Sequence, residues 1–213
     1  MSIKGLTKKQ NQALYTIVGI IIVAIICVII FQFYNSNNHK RILEASNAYQ
    51  KALIASKNSD TSSNTKIYKF TSVVDKYPNT SFGIFASWQL ADLYITPTKL
   101  DTSNFSMNIA NLPKAIKVLQ QSIKGNPDDS LTNVTKTRLA RLYIASNQPD
   151  QAIKTLQSLG SLGDKAYPLM LLGQAYHQKN DKTKALDAWH KALQDPDSSA
   201  EFKQVITQLI NNY

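Results

Sequence analysis

Arg138–Leu156 reads RLARLYIASNQPDQAIKTL. Apolar residues recur at helical spacing on both sides of a polar turn that carries Asn147, Pro149 and Asp150. No residue in the stretch is disposed for acid–base, nucleophilic or metal chemistry. Alanines stand at Ala140 and Ala152, at positions that the helical pattern otherwise gives to larger apolar side chains. Small residues at such positions let two helix backbones approach closely. The stretch is a helix–turn–helix unit built for packing.

Working outward, Leu171–Trp189 reads LLGQAYHQKNDKTKALDAW and repeats the pattern at a fixed offset. Tyr143 lies 33 residues before Tyr176, Ala152 before Ala185, Leu156 before Trp189, Leu139 before Leu172, and Ala140 before Gly173. Five matches at one offset mark an internal repeat. The pattern resembles that of tetratricopeptide repeats, with Leu169, Leu172, Gly173, Tyr176, Ala185, Trp189 and Ala192 in register and Pro196 one place early. An earlier copy ends its first helix with Leu90, Ala91 and Tyr94 and places Ala115 and Leu119 on its second. Its helix connection is about 12 residues longer, in the Thr96–Pro113 stretch, whose Pro, Thr, Ser and Asn residues read as a surface loop. A worn pair precedes it, EASNAYQKALIAS and TKIYKFTSVVDKY, stopped by Pro78. Phe202, Val205, Ile206, Leu209 and Ile210 form one stripe on a final helix that would cover the open end of the last repeat. The expected fold is all-α, a tetratricopeptide-like solenoid of about four helical hairpins.

Upstream stands ALYTIVGIIIVAIICVIIFQF, Ala13 to Phe33, without a charge. As a helix it spans about 31 Å, enough for a bilayer core. It is longer than a secretory signal core, no small-x-small pair follows it, and Ile26 before Cys27 argues against lipoprotein processing. The expected organisation is a short basic cytoplasmic tail at 1–12, a transmembrane helix at 13–34 and the repeat domain at 35–213. Lys4, Lys8 and Lys9 with no acid in the tail favour an N-terminus inside and a body outside, with a cytoplasmic body as the alternative. One cysteine leaves no intramolecular disulfide to form.

The chain carries 24 Lys and Arg against 14 Asp and Glu, but the lysines of the body are scattered as on solvated helix faces. Nothing resembles a nucleic-acid reading motif, and Lys40-Arg41 could weakly hold lipid headgroups. No HExxH, Cys/His cluster, glycine-rich phosphate loop or acidic constellation occurs, so no catalytic, metal or cofactor site is expected and the chain is not read as an enzyme. A binding surface remains. First helices line the concave face of such a stack, and repeat positions near 5, 9 and 12 map to Trp88, Asp92 and Ile95; Thr137, Arg141 and Ile144; Met170, Gln174 and His177. Trp88 and Met170 would suit apolar peptide segments or, equally, pack against neighbouring helices; Arg141 could meet a carboxylate.

With the segments YNSNNHKRILEASNAYQKALIA, RLARLYIASNQPDQAIKTL and KNDKTKALDAW in place, the chain resembles the YfgM-type ancillary subunits of the bacterial SecYEG translocon over nearly its whole length. Its tail MSIKGLTKKQNQ is shorter and more basic than that family's. The resemblance implies an inner-membrane protein with periplasmic repeats, working beside SecYEG and the chaperone PpiD to pass exported clients onward, with a link to the Rcs envelope-stress regulator. It carries over no catalytic residues. A scaffold for another envelope complex is the alternative reading.

Overall fold

A computed structural model describes residues 8–96, 107–124 and 130–212. Among them every regular element is helical: α1 (Lys8–Lys57), α2 (Ser63–Lys76), α3 (Ser81–Ile95), α4 (Leu112–Ile123), α5 (Ser130–Ala145), α6 (Pro149–Gln157), α7 (Ala166–Gln178), α8 (Lys182–Leu193) and α9 (Ala200–Asn211). Short 3-10 turns at Ile109–Asn111 and Gly160–Asp164 precede α4 and α7. The chain divides into two compact units, Met1–Ser46 and Asn47–Tyr213.

In the first unit α1 carries the apolar run with its side chains turned outward all round, Ile20 64 % and Phe31 70 % exposed. From Gly19 onward the helix is long and apolar enough to cross a membrane. The helix does not stop at Tyr34, where the polar exit begins. Between Gly19 and Pro78 there is neither glycine nor proline to break it, and Asn or Ser costs a helix only about 0.5 kcal/mol each. Residues 1–7 of the basic tail lie outside the described residues.

The second unit is the expected stack of hairpins. Tyr49 near its start lies 6.2 Å from Phe70 of α2 and 6.0 Å from Phe82 of α3. Helices α3 with α4, α5 with α6 and α7 with α8 then pair in sequence. One continuous core runs from Ala91 of α3 to Ile206 of α9. Within it small and large residues recur one period apart. A Cβ at Gly173 would meet the Trp189 indole, and Ala140 and Leu156, which stand one period earlier, are buried as Gly173 and Trp189 are. The Trp189 indole N–H donates to the Met170 carbonyl at 3.1 Å, so its one polar atom is satisfied inside the core.

Two joints repeat at the level of the backbone. Asn147 and Asn180 are left-handed, with φ of 56° and 59°. At the first joint the N–H of Asn147 donates to Ile144 O and that of Gln148 to Tyr143 O; at the second, Asn180 donates to His177 O and Asp181 to Tyr176 O. This is the Schellman closure of a helix, with Asn supplying the conformation that glycine more often takes. Helix α9 caps the stack through buried Ile206, with Phe202, Leu209 and Ile210 partly buried against the core. Val205, expected on the same stripe, is 46 % exposed; at one residue before Ile206 it turns about 100° away from the buried line. Most of the Thr96–Pro113 connection, at 97–106, lies outside the described residues. Its last residues are not loop: α4 already begins at Leu112, with Pro113 in its first turn, where proline's missing N–H costs nothing.

Candidate functional site

Helices α3 and α5 bring three of the expected face residues into one groove of about 540 Å³, which the start of α7 also lines. Asp92 comes from α3, Thr137 and Arg141 from α5; Arg138, Leu162 and Tyr167 join them. That volume lies within the range of ligand-holding clefts, about 300–1,000 Å³.

Arg138 ties the α3 side of the groove together. Its guanidinium donates to Asp92 at 3.2 Å and lies 4.9 Å from the centre of the Trp88 ring. Trp88 in turn donates its indole N–H to the Thr135 hydroxyl at 2.8 Å and meets Phe85 edge to face at 5.3 Å. Trp88 is therefore half-buried and structurally engaged rather than free on the surface. An aromatic run of Tyr49, Phe82, Phe85 and Trp88 leads up to the groove, with neighbouring ring centres 5.3 to 6.2 Å apart.

On the α7 side Lys165 closes the groove and is held from behind. Asp197 accepts from its ammonium at 2.6 Å and Asp195 stands at 3.9 Å. The hydrogen bond to Asp197, then the charges of Asp197 and Asp195, raise the Lys165 pKa. Asp195 is buried and accepts the Ala166 backbone N–H at 2.7 Å, capping α7 from beyond the end of α8. That bond first, with the Asp197 N–H second, lowers its carboxyl pKa.

The other expected positions fall elsewhere. Met170 is 8 % exposed and belongs to the core, the packing alternative for that residue. Gln174 is half-buried and His177 exposed, its ring 6.2 Å from that of Trp189; neither lines the groove. Of the partners of those positions, Ile95 is buried and Ile144 half-buried. Sequence reasoning missed Arg138, Leu162, Lys165 and Tyr167. Leu162 and Lys165 lie in and just after the 3-10 turn between hairpins, outside the repeat pattern. A leucine in the otherwise polar run GSLGDK is the signal that could have found the turn. Among the described residues, no three His, Cys, Asp or Glu side chains gather as a metal site. The groove's chemistry is that of recognition: one acid, three cations and an apolar wall.

The tetratricopeptide repeat-like domain family matches residues 9–212. The chain is 29 % identical over 182 residues to the Ancillary SecYEG translocon subunit of Escherichia coli (strain K12), covering 85 % of this chain and 80 % of that one. It is 28 % identical over 123 residues to the protein of the same name from Buchnera aphidicola subsp. Acyrthosiphon pisum, covering 58 % and 63 %. These similarities agree with the resemblance carried by the repeat segments. Among solved structures, MamA 41-end from Desulfovibrio magneticus RS-1 superposes with a TM-score of 0.54 at 14 % identity, over 81 % of this chain and 86 % of that one. The MamA RS-1 ArsTM double mutant gives 0.55 at 15 %, over 81 % and 84 %. At those identities the likeness is one of fold.

Proposed function

Because the chain belongs to the tetratricopeptide repeat-like domain family, we propose that it is a membrane-anchored, non-enzymatic accessory of a SecYEG translocon. The observation that carries this reading is the similarity, over 85 % of the chain, to a protein named for that role. The apolar helix from Gly19 onward supplies an anchor, and stacked hairpins supply an extended binding face without catalytic groups. On this reading the N-terminus lies in the cytoplasm and the repeats in the periplasm of a bacterial inner membrane, the orientation that the tail lysines favour. There the repeats hold partners near the translocon exit and pass exported chains to a chaperone such as PpiD, with an Rcs-type regulator as a further partner. Trp88, Asp92, Thr137, Arg141, Met170, Gln174 and His177 belong to the helices of that face; Asp92, Thr137 and Arg141 meet in its groove.

The test is a pull-down from mild-detergent membranes through a tag after Tyr213, with photo-crosslinkers placed one at a time along Ile20–Phe31. Crosslinks to SecY or PpiD are expected. A stable partner outside the export pathway, with neither of these, would overturn the translocon reading and leave the fold untouched. Protease added to spheroplasts should degrade the repeats; protection until lysis would put them in the cytoplasm.

A further inference from the structure

We propose that the groove between α5 and the start of α7 selects extended segments in which an internal aspartate or glutamate adjoins a branched or aromatic apolar residue. The inference rests on the reading of the repeat body as a partner-binding surface, and it names the chemistry of what is bound.

Charge complementarity carries the first half. Four charged side chains line the groove, and three are already matched. Arg138 and Asp92 neutralise one another at 3.2 Å. Lys165 is matched by Asp197 and Asp195. Arg141 is exposed and, among the described residues, has no ion-pair or hydrogen-bond partner. The Thr137 hydroxyl donates to the Asn133 carbonyl at 3.0 Å, inside its own helix. Among the described residues the groove thus presents one unmatched positive charge, carried by a planar fork suited to a carboxylate.

The apolar wall carries the second half. Seven large apolar side chains are exposed among the described residues of 47–212, and three of them, Val134, Leu162 and Tyr167, line this one groove. A body that buries its other core side chains so fully has concentrated exposed apolar surface beside its unmatched arginine. Such a concentration marks a site of contact. A single carboxylate with an adjacent apolar side chain satisfies both features at once. The carboxylate is internal because a chain still passing through a membrane presents no free C-terminus.

Fluorescence anisotropy of the full-length chain in a neutral detergent tests this. The probe is a labelled peptide, acetylated and amidated, with Asp-Leu-Phe centred in a Gly/Ser background; its match replaces Asp with Asn. The Asp peptide should bind about tenfold more tightly, as a charge-assisted contact implies. Arg141→Gln should erase that preference while leaving the Asn peptide within about twofold, and Arg141→Lys should restore part of it. Val134→Ser should weaken both peptides alike. Equal binding of the two peptides, a preference that survives Arg141→Gln, or no saturable binding would each overturn the proposal. So would an Asn peptide with a free C-terminus that matched the Asp peptide. Crosslinking to SecY does not depend on Arg141. Its failure with the peptide preference intact would remove the translocon reading alone, and the reverse result would remove this inference alone.

Discussion

Gly83 and Gly173 both stand on first helices of hairpins, and at both a Cβ would collide with something, but the obstacles differ in kind. At Gly173 the added atom would come within 2.2 Å of the Trp189 indole nitrogen and 2.4 Å of its Cδ1. At Gly83 it would come within 2.0 Å of the Tyr77 carbonyl oxygen. The first obstacle is a side chain on the facing helix. The second is a backbone turn, in which Tyr77–Thr80 folds over the first turn of α3 and Thr80 accepts the Gly83 N–H at 3.1 Å. The lesson is that the last hairpin's close approach is open to exchange: at the equivalent positions one period earlier stand Ala140 and Leu156, both buried. The turn before α3 offers no such exchange.

The largest expected effect tests the tryptophan's side of that contact. Trp189→Ala should destabilise the body by about 3–5 kcal/mol, the cost of emptying a fully packed aromatic site, read from urea unfolding followed by far-UV circular dichroism. Next comes Gly83→Ala, at about 3 kcal/mol, the upper end for overpacking because a carbonyl cannot rotate away. Gly173→Ala should cost about 1–2 kcal/mol, since alanine's better helix propensity returns roughly 1 kcal/mol. A double-mutant cycle separates the two glycines. Adding Trp189→Leu to Gly173→Ala gives the Ala and Leu found at the equivalent positions of the repeat before it, so the two changes should couple favourably. Added to Gly83→Ala it should be simply additive. Coupling at Gly83, or none at Gly173, would break the distinction.

The smallest effects compare the two helix caps. Thr80→Ala should cost about 1 kcal/mol at every pH, as an uncharged local cap does. Asp195 caps α7 as an anion whose pKa is lowered in the fold. Its contribution is present above the unfolded-state value, near 3.9, and is lost as pH falls through the lower folded value. The melting-temperature deficit of Asp195→Asn should therefore hold from pH 7 to about pH 5 and shrink below about pH 4. A deficit that stayed constant down to pH 2 would show that the carboxylate's charge contributes nothing to the cap.

The fold was largely legible because its determinants are periodic. Tyr143 and Tyr176, Ala152 and Ala185, Leu156 and Trp189 recur at a fixed spacing, and periodic packing residues read off one dimension as well as three. The end of the first helix, at Lys57, was less legible, since a run of Asn and Ser weakens a helix without breaking it. The groove was half legible. Asp92, Thr137 and Arg141 sit at repeat positions; Leu162, Lys165 and Tyr167 arrive from the turn and first residues that lead into α7, where no period applies. Met170 was ambiguous because repeat position alone does not say whether a neighbouring helix covers it, and here the core does.

The paired left-handed joints at Asn147 and Asn180 bear on how such a chain can change length. Each joint uses the same backbone state and the same two carbonyls, one period apart. A duplicated block of 33 residues, taken from one joint to the next, would present each new interface with the partner it already has. Growth or loss is then quantised: whole blocks keep each joint in register with the next, whereas a fractional insertion shifts every later position off the period. The molecule's lineage can edit its reach by copying, without inventing a new contact.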